Sequence, residues 1–185
     1  MKPTLLALAF SALTLLVPSA ARAASTTNES LDKEVKAALT QLYGREPGAK
    51  ALGAQAKGIL VFPTMRKAGL IVGGQHGEGA LLKKGKIAGY YTSNAISVGF
   101  EAGAQSFSYA LFFMTDDALN KFEKSDGFEL GAEANVVFVD AGAGAGAGTA
   151  TTGAPVYGFV FGQKGLMAGV SLQGTKITRK DAAAK

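Results

Sequence analysis

The stretch ISVGFEAGAQSFSYALFF, residues 96–113, decides how this chain folds. In its first half Ile96, Val98, Phe100, Ala102 and Ala104 fall on one parity, with Ser97, Gly99, Glu101, Gly103 and Gln105 on the other. That alternation belongs to a β-strand. In its second half the apolar bulk moves to Phe107, Tyr109, Leu111 and Phe113, on the opposite parity. An unbroken strand would turn this second set to the wrong face, so the pattern predicts a β-bulge or sharp bend near Ser106.

Strand grammar extends upstream to Gly58. Residues 59–62 and 70–72 are continuous apolar runs, bounded by Pro63 and by Gly73-Gly74, as in strands buried on both faces. Lys83-Lys84-Gly85-Lys86 separates the runs 80–82 and 87–91 and reads as a hairpin turn with a cationic tip. Downstream, Thr115-Asp116-Asp117 supplies a capping hydroxyl and two acids for a helix start, and the helix should end within 125–127. A further strand alternates through Leu130, Ala132, Ala134 and Val136. The strict Ala-Gly alternation at 141–148 reads as a loop with frayed strand ends rather than a strand, because glycine loses the most entropy on ordering. Runs 155–161 and 166–172, around Gln163-Lys164-Gly165, predict a closing hairpin, and Lys176, Arg179 and Lys180 form a basic tail.

The N-terminal part follows a different rule. Leu31, Val35, Ala38, Leu39 and Leu42 recur at steps of three to four, predicting an amphipathic helix that stops at Gly44 and Pro47. A second short helix is expected over about 49–56. Ahead of these, Lys2, an uncharged apolar stretch at 4–17, Pro18 and Ala21-Arg22-Ala23 read as a secretory signal cleaved after Ala23. The stretch falls short of the roughly 18 residues of a spanning helix. Residues 24–30 then read as a flexible lead-in, 31–180 as a single domain and 181–185 as a tail. The architecture expected is α+β: a curved, mostly antiparallel, glycine-rich sheet or partly closed barrel, with an N-terminal helical arm and one short mid-chain helix.

The chain has no cysteine, which removes disulfides, thiolate metal sites, catalytic thiols and a cysteine-anchored lipoprotein. Loss of Lys2 and Arg22 with the leader leaves 17 basic and 14 acidic side chains, a formal +3. That balance suits weak attraction to anionic surfaces and is far from a nucleic-acid footprint. His76, alone in GGQHGEG, has no triad motif around it. The 79–86 segment fails the phosphate-loop spacing, since five residues separate Gly79 from Gly85 and Ile87 stands where a hydroxyl is needed. Gly142, Gly144 and Ala147 match a dinucleotide fingerprint only through low complexity. Ser30 and Lys33 have the S-x-x-K spacing without companion motifs, and the acids of 116–140 form no EF-hand loop. The uncharged stretch 141–162 carries too many glycines, and Pro155, for an inserted helix. Glu101, Glu129 and Glu133 share strand faces with small residues, a placement that more often means solvent or a lysine partner than function.

Six ordered blocks remain: AKGILVFP at 56–63, KAGLIVGGQHGEG at 67–79, Tyr90-Tyr91, GFEAGAQ at 99–105, ALNKFEKSDGFELG at 118–131 and GLMAGVSLQGTKI at 165–177. Together they resemble the SYLF lipid-binding domain family over about 31–177. The resemblance implies a non-enzymatic domain that binds acidic phospholipids. Eukaryotic relatives bind phosphoinositides and, in some, actin filaments, whereas the leader directs this chain away from both. It implies no catalytic residue, cofactor or metal. The expected activity is binding of anionic phospholipid head groups by an exported, periplasmic, outer-membrane-associated or secreted protein. Its candidate contacts are the cations beside apolar strand ends: Arg66, Lys67, Lys83, Lys84, Lys86 and Lys164. A small outer-membrane β-barrel and a structural or host-interaction protein are the alternatives.

Overall fold

A computed structural model describes residues 20–69, 72–98, 103–131, 136–140, 153–165, 172 and 174–180. Helix α1 (Ala20–Arg45) is followed by α2 (Pro47–Gln55), four long strands, β1 (Gly58–Gly69), β2 (Val72–Lys83), β3 (Lys86–Val98) and β4 (Gly103–Phe113), and helix α3 (Asp116–Lys124). Strands β5 (Phe128–Glu129), β6 (Val136–Asp140), β7 (Val156–Gly165) and β8 (Lys176–Arg179) complete one sheet of order β5-β8-β3-β2-β1-β4-β7-β6. Its described pairs are antiparallel except β6 with β7, and the sheet curls into a half-barrel.

The segment 96–113 forms two strands. β3 ends at Val98, β4 begins at Gly103, and β2 and β1 lie between them in the sheet. The change of apolar parity therefore spans a change of strand as well as a bulge. Pairing of β4 with β7 does shift between Ser106 and Ser108, and pairing with β1 shifts between Phe62 and Met65. The extra residues belong to the neighbours: Ser106 and Ser108 face Lys164 and Phe161, so β7 carries one residue more than β4. Gly162 there has φ +66, a conformation that suits glycine. On β1 the irregular stretch holds Pro63, so the proline expected to end the strand sits inside it at a bulge, where its missing N–H costs no ladder bond. Its carbonyl accepts a hydrogen bond from Ser108 Oγ at 2.7 Å.

Other boundaries move for local reasons. α1 begins eleven residues before Leu31, so 24–30 is helical instead of a flexible lead-in, and the expected cleavage point lies in the first turn. Neither Gly nor Pro interrupts 20–43, and Glu29 pairs with Lys33 one turn on at 2.9 Å. The strand expected through 130–136 is instead β5, a turn at Leu130-Gly131 and, after residues outside the described set, β6. Gln163-Lys164-Gly165 lies within β7 rather than at a turn, and the basic tail is strand β8. The Ala-Gly run, Glu101, Glu133, the leader to residue 19 and the 181–185 tail lie outside the described residues.

Two apolar layers sandwich one end of the sheet. On the concave side Leu60, Phe62, Leu81, Tyr109, Leu111 and Phe113 pack with Leu119 and Phe122 of α3 and with Phe128. Phe113 and Phe122 ring centroids are 4.9 Å apart. On the convex side Val35 and Leu42 of α1 and Ala49 of α2 cover Ile59, Val61, Ala80, Phe112 and Phe159. Both faces being covered is why 59–62 and 109–113 are continuous rather than alternating apolar runs. α3 starts as expected, with Thr115 Oγ1 accepting from Ala118 N at 3.2 Å. The hairpin at Lys84 (φ 51) and Gly85 (φ 75) also forms as expected, with Lys83 opposite Lys86. α1 is tied to the sheet by the Tyr90 hydroxyl, which donates to Asp32 Oδ1 at 3.0 Å.

Candidate functional site

At the end of the sheet where Gly69 pairs with Gly73, no described helix covers the convex face. Pairing places Lys176, Asn94, His76, Arg66, Ser106 and Lys164 side by side on β8, β3, β2, β1, β4 and β7. Paired residues share a face, and Ser106 lies between the inward-facing Gln105 and Phe107, so this row points outward. Five strand spacings of about 4.8 Å make it roughly 24 Å wide. Arg66, His76, Lys164 and Lys176 are all exposed.

Two hollows lie on this face, either side of the β1 bulge at Pro63 and Thr64. One, of about 330 Å³, is bounded by Ser30, Leu31 and Glu34 of α1 and by Arg66, His76 and Glu78 of the sheet. The other, about 160 Å³, lies between Gln41 and the strands and includes Ser106 and Lys164. His76 Nδ1–H donates to Asn94 Oδ1 at 2.7 Å, which leaves Nε2 to face outward. Glu78 is engaged by the Lys180 ammonium, so the Arg66 guanidinium and Glu34 carboxylate dominate the charge of the larger hollow. A guanidinium beside open solvent can take an oxyanion without burying it, whereas the outward His76 Nε2, a lone pair when Nδ1 carries the proton, accepts from a donor instead.

The six expected contacts do not assemble into one patch. Arg66 and Lys164 share the convex row, separated only by Ser106. Lys67 is 4% exposed and faces the concave side, in register with Gln75 and Gln105. Adjacent residues of a strand point to opposite faces, so the Arg66-Lys67 pair is divided by the backbone itself. Lys83, Lys84 and Lys86 lie at the other end of β2, and Lys83 is held by the Glu123 carboxylate of α3 at 2.9 Å. Sequence reading missed His76, Asn94 and Lys176 as members of the row. It also missed Val72 and Ile96, whose exposure (61% and 81%) contrasts with the core around them.

The concave face beside Lys67 is polar and closed. Gln75 Nε2 donates to the buried Thr175 hydroxyl at 2.9 Å, while Gln75 Oε1 and Gln105 Oε1 have no hydrogen-bond partner among the described residues. Deeper in, the Tyr109 hydroxyl donates to Ser93 Oγ at 2.7 Å, and burial pushes the phenol's pKa far above its ordinary value, the Ser93 contact opposing. The Tyr90 phenol is also raised, by burial and then by its bond to Asp32. Among the described residues no group of three or more His, Asp or Glu side chains could hold a metal ion. No described helix is long and apolar enough to cross a membrane.

Residues 94–185 match the family described as Ysc84, Las17-binding protein actin regulator. This chain belongs to the SYLF-type domain family. The matched half of the SYLF chain starts within β3, at the row itself, and includes Ser106, Lys164 and Lys176, while Arg66 and His76 lie in the hairpin ahead of it. No curated protein matches the chain.

Proposed function

We propose that this SYLF domain is a non-enzymatic binder of anionic phospholipid head groups, acting at a membrane surface in an export compartment reached through the 1–23 leader. The observation that carries the reading is the convex row, in which backbone register sets Lys176, Arg66 and Lys164 on one exposed face with His76 between them. Each near-surface cation contributes about 1 kcal/mol on an anionic membrane. Lys176 has Glu129 as its cross-strand partner, so Arg66 and Lys164 carry most of the attraction, roughly 2 kcal/mol or about thirtyfold in partition, which salt screens over a Debye length of about 8 Å. Such binding is peripheral and reversible. The sheet ends at β5 and β6 and its convex face is partly covered by α1 and α2, an architecture that does not support the outer-membrane barrel alternative.

Co-sedimentation of residues 24–185 with vesicles tests the reading. Binding to phosphatidylglycerol-containing vesicles, release by added salt and no binding to phosphatidylcholine alone is the expected result. Indifference to acidic vesicles at low ionic strength would end it. The family's description makes a protein partner the second reading, and the same sedimentation with filamentous actin in place of vesicles tests that.

A further inference from the structure

Resting on the lipid-binding reading, we infer that the domain meets the bilayer end-on, with Val72 and Ile96 entering the interface and the cationic row seated behind them at the head groups. Among the described residues only Val72, Ile96 and Phe138 are large hydrophobic side chains left exposed, and the first two are neighbours. Ile96 pairs with Gly74 and Val72 with Val98, so Val72 and Ile96 stand diagonally on adjacent strands of the convex face. The row of Ile96 continues through Gly74, Ala68 and Ala104. It holds no polar side chain, and its alanines are exposed. Space around Gly74 is open, since a Cβ there would meet nothing within 4 Å.

The next row inward is Asn94, His76, Arg66 and Ser106, extended by Lys164. It lies two residues farther along each strand, about 7 Å. An apolar edge followed at that distance by cations matches a monotopic element whose apolar part sinks roughly 5–10 Å while its basic groups stay at the head-group level. The opposite end of the sheet offers no such sequence. There Lys83 is tied to Glu123, and the described residues beside the 83–86 turn include no exposed large hydrophobic side chain. A solitary exposed apolar residue needs no explanation, but two adjoining ones bordered by a cationic band do. The fit is to an anionic bilayer, because charge and apolar area are layered along one axis instead of being mixed.

The chain contains no tryptophan, so a single introduced indole reports its own depth. Val72→Trp, Ile96→Trp and Lys84→Trp are prepared in residues 24–185 and mixed with phosphatidylglycerol/phosphatidylcholine vesicles carrying brominated acyl chains. The first two should shift to the blue and be quenched, and the third should remain in water. A double Val72→Ser, Ile96→Ser variant, folded by circular dichroism because both sites are exposed, should bind the same vesicles about tenfold more weakly. Vesicle binding without quenching at 72 and 96, quenching at 84, or undiminished binding of the serine variant overturns the end-on geometry while leaving lipid binding intact. Absence of vesicle binding by the unsubstituted chain overturns the functional reading itself, and this inference with it.

Discussion

The two ends of the sheet are built from the same strands and made for different work. At the Phe113 end, Leu60, Leu111 and Phe113 face α3 while Ile59, Val61 and Phe112 face α1 and α2. At the Gly69 end the same β1 and β4 turn Arg66 and Ser106 outward and Lys67 and Gln105 inward. One end is apolar on both sides and pinned by helices. The other carries polar side chains on both sides and an apolar rim at Val72 and Ile96, and no described helix covers its outward face. The stability of this domain therefore resides at one end, which frees residues at the other to serve a partner.

That division can be broken most forcefully at Phe113. Phe113→Ala should cost about 3–5 kcal/mol in urea denaturation, because the ring packs on both Phe122 and Phe128 and a cavity would remain. A loss under 1 kcal/mol would show that the concave layer is not the core. Arg66→Gln combined with Lys164→Gln tests the open end. It should leave the urea midpoint unchanged and weaken acidic-vesicle binding by about 2 kcal/mol, roughly thirtyfold. A shifted midpoint would show these residues to be structural.

Glycines sharpen the contrast within a single strand. A Cβ on Gly79 would sit 2.4 Å from the Val61 carbonyl oxygen, and Gly79→Ala should cost about 1–3 kcal/mol in thermal denaturation. Gly74→Ala, toward the open end, should be nearly silent. Smaller still is the alkaline limb. The raised Tyr109 pKa means that the unfolded chain releases this proton more readily than the folded one. Its contribution is complete below pH about 10 and is lost as the pH climbs toward the folded value. Tyr109→Phe should therefore lose less stability than the parent between pH 10 and 11.5 in chemical denaturation, although Ser93 then lacks its donor. Smallest is Lys84→Asn, which suits the left-handed turn better and should add a few tenths of a kcal/mol to the melt.

What the sequence disclosed tracks the range of the interaction. The Thr115 cap and the Lys84-Gly85 turn depend on residues within three positions, and both appear as read. The continuous apolar run at 59–62 announced burial on both faces, but the run at 70–72 misled, for Val72 is exposed and 70–71 lie outside the described residues. Pro63 misled because a proline ends a flat strand but is admitted at a bulge, which depends on partners more than 40 residues away. The separation of Arg66 from Lys67 was available from strand alternation alone. The convex row was not, for it joins positions from 66 to 176 that only the order β8-β3-β2-β1-β4-β7 makes adjacent.

Backbone pairing also makes that row a rigid comb. Its teeth are set by the ladder of amides beneath them and cannot slide to suit the spacing of whatever lies opposite. A fluid bilayer has the freedom the protein lacks, since its acidic lipids diffuse in the plane. On the lipid-binding reading proposed above, adaptation then falls to the lipids, and a patch enriched in negative charge should collect under each bound copy.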